Sequence, residues 1–180
     1  MLCELCLNKL TPRFRKFEIN GYKGLAIYDY DDEIKSLLYQ FKGCYDYELK
    51  DVFFYRYIKE LSIYYKGYVV VPAPSYHIDD ENRGFNHVEE IYKSFNLKII
   101  DCVKKISPHK QAGLKKKQRL EIEQHLTIEN PEQLKGEKVL IVDDVMTTGS
   151  TLTAMIDLIK KGEPKKIKIL VMSKRVVTHV

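Results

Sequence analysis

Two adjacent carboxylates, Asp143 and Asp144, and the run Thr147-Thr148-Gly149-Ser150-Thr151 just beyond them are the residues of this chain best equipped for chemistry. Ionised carboxylates accept hydrogen bonds and suit a pair of neighbouring hydroxyls, such as the 2′ and 3′ positions of a ribose. They would repel a phosphate. The hydroxyl-rich run has the opposite character: at the start of a helix, its backbone N–H groups and the positive end of the dipole attract an anion. Gly149 lets the backbone turn tightly and approach a phosphate with no Cβ in the way. Together the two halves suit a ligand that carries both a hydroxylated sugar and a phosphate.

The flanking residues supply the elements that must position this chemistry. Val139 to Val142 is short, β-branched and continuously apolar, which predicts a parallel strand covered on both faces. Leu152, Met155, Ile156 and Ile159 recur at helical spacing, Gly162 is placed to stop that helix, and Ile167 to Met172 reads as the next strand. Strand, loop, helix and strand make a crossover unit of a parallel α/β sheet. Ligands of such sheets bind beyond the carboxyl ends of the strands, where this loop lies.

A plainer reading makes Ser150 or Thr151 an ordinary helix cap and the two aspartates solvated surface groups. It leaves unexplained why two acids and a run of small polar residues stand together at the mouth of a buried strand. No Gly-x-x-x-x-Gly-Lys-[Ser/Thr] and no Gly-x-Gly-x-x-Gly occurs, so neither a P-loop nor a dinucleotide fold is expected. A phospho-receiver domain also ends a strand in two acids, but near the start of its fold. Here 36 residues follow Asp144.

The 180 residues suit one domain with at most a small appendage. A hydrophobic content of 44% with 31% charged residues is that of a globular protein. No apolar stretch approaches a membrane span and no signal-peptide core is present, so a cytoplasmic location with reduced thiols is expected. The formal charge of +5 suits polyanionic ligands without demonstrating nucleic-acid binding. Thirteen tyrosines accompany no tryptophan, and their spacing around Tyr55 to Tyr65 predicts packing at the core edge.

Upstream, helices are expected over Asp31 to Phe41 and Glu48 to Tyr65, with a break around Gly43. Tyr68 to Val71 reads as a strand ended by Pro72 and Pro74. The loop from Ala73 to Asn86 carries His77, Asp79, Asp80, Glu81 and Arg83, and a helical stripe of Val88, Ile91, Tyr92 and Phe95 follows. This loop too opens onto the ligand side of the sheet. Arg83 suits bidentate phosphate recognition, or an ion pair with one of the acids just upstream. Ser107 to Glu123 is long, basic and poor in apolar residues. It suits a lid, a contact to a DNA backbone, or a solvated face.

Val139 to Thr151 closely resembles the phosphoribosyl-pyrophosphate (PRPP) signature of type I phosphoribosyltransferases. Within that superfamily the chain is most similar to the ComF (competence protein F) branch, associated with DNA uptake in naturally competent bacteria. The further matches are Val71-Pro-Ala-Pro74, Arg83-Gly-Phe-Asn86, Gln111-Ala-Gly-Leu114 with Arg119, and the Phe41-Lys42-Gly43 region. The resemblance implies a mostly parallel α/β sheet flanked by helices, with Asp143 and Asp144 on the ribose and residues Thr147, Thr148, Gly149, Ser150 and Thr151 on its phosphate. It implies that the loop beginning at Ala73 and Pro74 holds pyrophosphate through its backbone, together with Arg83. It places a flexible catalytic lid over Lys110, Gln111, Lys115, Lys116, Lys117 and Arg119. A lid there would exclude water and neutralise the leaving pyrophosphate.

The ComF pattern also includes an N-terminal zinc module built from paired Cys-x-x-Cys motifs. Only Cys3-x-x-Cys6 is present, and a closed zinc site needs four ligands, so residues 1–25 read as a remnant of that module before a domain over 26–180. Zinc at Cys3 and Cys6 is the alternative. The implied reaction transfers phosphoribose from Mg²⁺-bound PRPP to a nitrogen acceptor. Oxopurine enzymes of the superfamily place an aspartate base where this chain has Thr147, and a threonine hydroxyl cannot act as a base near neutral pH. Hypoxanthine and guanine are therefore disfavoured. The competing expectation is a PRPP-binding accessory protein of competence that contacts single-stranded DNA and a helicase.

Overall fold

The computed structural model describes residues 7, 10–75, 84–105 and 126–176. Five strands form the main sheet in the order β1-β2-β7-β6-β3. These are β1 (Arg15–Ile19), β2 (Tyr22–Asp29), β3 (Val69–Pro72), β6 (Lys138–Met146) and β7 (Lys166–Lys174). Strand β1 is antiparallel to β2, and every other pairing is parallel. Two short strands, β4 (Val103–Lys105) and β5 (Leu126–Ile128), pair separately. The helices are α1 (Asp32–Leu38), α2 (Ile58–Tyr64), α3 (His87–Lys93) and α4 (Ser150–Ile159). The fold is α/β with a mostly parallel sheet.

Alternation along β6 and β7 divides the core in two. Leu140, Val142, Leu170 and Met172 face the layer of α1, α2 and α3, which contributes Phe41, Phe53, Phe54, Tyr65, Tyr92 and Phe95. Val139, Ile141, Ile169 and Val171 face α4, whose Leu152, Met155, Ile156 and Ile159 form the expected stripe. Each of these burials removes a whole apolar side chain from water, worth about 1.5–3 kcal/mol. The outer edge of β3 is covered where Val70 exchanges hydrogen bonds with residues 98 and 100.

Several expectations need correction. The helix expected over Glu48 to Tyr65 is a 3₁₀ turn (Tyr47–Asp51), an irregular stretch and then α2. Val52, Phe53 and Phe54 are all buried, and three successive residues cannot share one helical face. The α1 helix continues into a π-helical turn, Tyr39–Gly43. The β1–β2 hairpin was not expected. It closes through Asn20 (φ 50) and Gly21 (φ 82), and the Leu25–Ala26 boundary expected between segment and domain lies inside β2, paired with Leu170 and Val171. Gly162 does not provide the left-handed helix stop, which Glu163 adopts (φ 51). Glycine is required there because a Cβ would lie 2.4 Å from the Pro131 carbonyl oxygen. Not all tyrosines pack at the core edge: Tyr28, Tyr65 and Tyr92 are buried, while Tyr39, Tyr55 and Tyr64 are largely exposed.

Candidate functional site

Strand β6 is longer than its apolar stretch, and both acids lie inside it rather than in the loop. Its neighbour β3 ends at Pro72, opposite Val142, where Ala73 N–H donates to the Val142 carbonyl at 2.8 Å. On that side no strand pairs with the rest of β6 among the described residues. The carboxylates satisfy main-chain donors there: Asp143 Oδ1 accepts from Asp144 N–H at 2.9 Å, and Asp144 Oδ1 accepts from Val145 N–H at 2.6 Å.

Asp144 has further partners. Its Oδ2 accepts from Lys42 Nζ at 2.7 Å and lies 3.2 Å from His87 Nε2. Aromatic packing explains how two distant segments reach one carboxylate. Phe41, adjacent to Lys42 on the π-helical turn, is fully buried and contacts the rings of Phe53 and Phe85. Phe85 in turn precedes Asn86, whose side chain caps α3 by accepting from Val88 N–H and Glu89 N–H. The cap fixes the first turn of α3 and with it His87. From within the core, Tyr92 Oη donates towards the Asp143 and Leu170 carbonyls, at 2.8 and 3.1 Å, and Ser173 Oγ donates to the Asp144 carbonyl.

The two aspartates, alike in the sequence, are unlike in the structure. Asp144 is only 7% exposed and tied into an ion-paired cluster, whereas Asp143 is half-buried. Burial alone would push the Asp144 carboxyl up, but the His87 hydrogen bond and the Lys42 charge outweigh it and hold the group well below the usual carboxylate range. Burial, and then the charge of Asp144, push Asp143 well above that range. As pH falls, Asp143 therefore takes up its proton while Asp144 stays ionised. Hydroxyl binding through Asp143 is expected to weaken on acidification, beginning above the pH at which an ordinary aspartate titrates. The opposite signs also apply to stability. Acidification through the raised value favours the folded state at Asp143, and the contribution of Asp144 is lost below the pKa of an unfolded aspartate. Ligand titrations at stepped pH, with Asp143→Asn removing the step, check the assignment.

Beyond Met146 the chain passes through a loop into α4, as the sequence predicts. Gly149 (φ 80) is the N-cap of α4, and a Cβ there would also meet Ile19 Cδ1 at 3.1 Å. The N-cap glycine has no side chain to cap this helix, and Thr148 Oγ1 accepts from Ser150 N–H only at 3.4 Å, which leaves first-turn N–H groups towards the loop. Thr147, Thr148 and Ser150 are exposed and Thr151 is half-buried, with Thr148 Oγ1 3.1 Å from Ser150 Oγ. Arg175 N–H holds the loop base by donating to the Met146 carbonyl at 2.9 Å.

Ala73 and Pro74 are buried at the carboxyl end of β3, beside β6. Next to them, Ser75 Oγ is buried with no hydrogen-bond partner among the described residues. Arg83, the lid residues Lys110, Gln111, Lys115, Lys116, Lys117 and Arg119, and the Cys3–Cys6 pair all lie outside the described residues. Cys44 is exposed and Cys102 buried, both as free thiols, and among the described residues no cluster of His, Cys, Asp and Glu could hold a metal ion by itself.

Residues 81–177 match the family described as "Phosphoribosyl transferase domain", more than half of the chain. The chain belongs to that family. Among solved structures, the chain is similar to a purine phosphoribosyltransferase from Pyrococcus horikoshii Ot3, with 25% identity over 73% of this chain and 77% of that one and a TM-score of 0.42. A Staphylococcus aureus hypoxanthine phosphoribosyltransferase is 13% identical over 69% and 62%, with a TM-score of 0.40. A Trypanosoma cruzi hypoxanthine phosphoribosyltransferase is 16% identical over 74% and 71%, with a TM-score of 0.43. No curated protein matches the sequence. These overlaps are loose, and the assignment rests on the family match. No described helix of this phosphoribosyl transferase domain is long and apolar enough to cross a membrane.

Sequence reasoning singles out the two acids and the loop after them but misses what surrounds Asp144. Lys42 stood in a quoted motif without a role, and His87 was passed over although it directly follows the Asn86 cap. Tyr92 was read only as one of the apolar residues along α3. Tyr92→Phe keeps the ring and removes the hydroxyl, leaving the Asp143 carbonyl one donor short. A loss of about 1–2 kcal/mol is expected in urea unfolding, with weaker ligand binding from the loosened acid segment.

Proposed function

We propose that this chain binds PRPP and transfers its phosphoribose to a nitrogen acceptor other than an oxopurine, releasing pyrophosphate. The observation that carries this reading is the pairing of Asp143 and Asp144 at the end of β6 with the uncapped N-terminus of α4 across Thr147 to Thr151. Asp143, whose Oδ2 is the carboxylate oxygen at the acid pair with no described bond, would accept from a ribose hydroxyl. The ionised Asp144 would accept from the neighbouring ribose hydroxyl and stabilise positive charge developing at C1 as the pyrophosphate leaves. The first-turn amides of α4 and the hydroxyls of Thr147, Thr148, Ser150 and Thr151 would hold the 5′-phosphate. The orphaned Ser75 Oγ, beside Ala73 and Pro74, offers a donor to the pyrophosphate.

A magnesium ion fits this donor set only when it arrives with the ligand. Asp143 offers one hard oxygen, and PRPP would have to supply most of the rest. Bound there, the ion would neutralise charge on the leaving pyrophosphate. Thr147, at the position of the oxopurine base, supports an acceptor that needs no carboxylate base, such as an amine or ammonia.

A second reading keeps PRPP binding without turnover, in a cytoplasmic ComF-like accessory protein that contacts single-stranded DNA and a helicase. The formal charge of +5 and the basic run over Ser107 to Glu123 favour it. Measuring Mg²⁺-dependent pyrophosphate release from PRPP across amines, bases and ammonia separates the two. Turnover with any acceptor supports the transferase. PRPP binding without release sinks it, and salt-dependent binding of single-stranded DNA, lost when Lys115 to Lys117 become alanine, supports the accessory role.

A further inference from the structure

We propose that Lys42 is a ligand-binding residue that occupies the sugar position on Asp144 in the free protein and transfers to the pyrophosphate of the incoming ligand. This rests on the PRPP reading above and adds to it a residue outside the family-matched segment 81–177.

The geometry at Asp144 leads to this assignment. Both of its oxygens are engaged, Oδ1 by Val145 N–H and Oδ2 by Lys42 and His87. A sugar hydroxyl that donates to Asp144 must therefore displace a partner or crowd it. The Val145 amide is main chain within β6. The His87 side chain is 11% exposed and seated on the capped first turn of α3. Lys42 is the mobile partner: its side chain is 38% exposed against 10% for Asp144, on a flexible four-carbon stem. It also lines a cleft of about 530 Å³ shared with Tyr30, Lys35 and Tyr39, which leaves room for the stem to swing.

The chemistry of the ligand fixes where the ammonium goes. The hydroxyls competing for Asp144 sit on carbons 2 and 3 of the ribose. The nearest ligand anion is the pyrophosphate on carbon 1, one carbon away, whereas the 5′-phosphate is held at the far end by α4. A compact ammonium displaced by the diol thus meets a polyanion within its own reach. The exchange replaces one ion pair by another, so no buried charge is stranded. It also makes binding selective, because only a ligand that carries a pyrophosphate offers the displaced ammonium a polyanion.

The test compares PRPP with ribose 5-phosphate, which has the same diol and the same 5′-phosphate but no pyrophosphate. Calorimetric titrations would use the full chain, Lys42→Gln, and Lys35→Gln as a control for loss of a nearby charge. Lys42→Gln is expected to weaken PRPP binding about tenfold or more, consistent with loss of one charge-assisted contact. Its affinity for ribose 5-phosphate should be unchanged or improved, and Lys35→Gln should bind both ligands like the parent. Thermal melts of each variant keep a folding defect distinguishable from a binding one. Equal losses for both ligands, or PRPP binding as tight as in the parent, would overturn the role of Lys42. Failure of the parent chain to bind PRPP would overturn the reading beneath it.

Discussion

Replacing Asp144 with asparagine is expected to slow pyrophosphate release about 10²–10³-fold, the magnitude of losing one preorganised electrostatic group. The amide keeps the shape of the side chain but not its charge, so C1 loses its anionic neighbour, and Lys42 and His87 lose the group that organises them. Removing one member of a buried ion pair costs about 3–5 kcal/mol. Lys42 is more than a third exposed and rehydrates, which reduces the expected cost to about 1–3 kcal/mol. Stability and rate separate in a cycle with Lys42→Gln. The double variant should regain part of the lost stability, because the ammonium that faced the lost carboxylate is gone as well, yet regain none of the rate. A double variant as unstable as Asp144→Asn alone would remove the ion pair from the account of stability.

Phe41→Ala carries the second large effect. Its ring is fully buried between Phe53 and Phe85, and truncation leaves a cavity costing about 3–5 kcal/mol. The same ring aligns the π-helical turn bearing Lys42 with the segment bearing His87. The variant should therefore also bind PRPP several-fold more weakly under conditions where it remains folded. Phe95→Ala provides the comparison. That ring is also buried, and its aromatic partners are Phe54 and Tyr92 rather than the rings beside Lys42 and His87. Urea midpoints should fall by similar amounts in both variants, with affinity falling more in Phe41→Ala. Parallel losses of affinity would show that Phe41 acts through global stability alone.

What could be read from the sequence was local. Val139 to Val142, Gly149 and the α4 stripe are contiguous, each with a period or a backbone demand visible in a short window. The Asn20-Gly21 hairpin was equally legible, since Asn-Gly between two strands is a strong turn signal, and it was missed by weighing only apolar runs. The partners of Asp144 are different in kind. Lys42 lies 102 residues away and His87 57, joined to the acid only through the packing of Phe41 on Phe85. No window contains that contact. The unequal character of the two aspartates follows from it, so two identical neighbours in the sequence acquire opposite acidities in the fold.

The strand order has a consequence for how the molecule is assembled. The two central strands, β6 and β7, follow β1, β2 and β3 in sequence, while those earlier strands flank them in the sheet. During synthesis the hairpin and β3 emerge with their central partners still unmade, and their apolar faces must wait. The segment that carries the family match holds β6 and β7 but neither β2 nor β3, the two strands that cover their outer edges. Expressed alone, it would present open parallel edges on both sides, a template for aggregation rather than a folding unit. The most recognisable part of this protein is therefore the part least able to fold by itself.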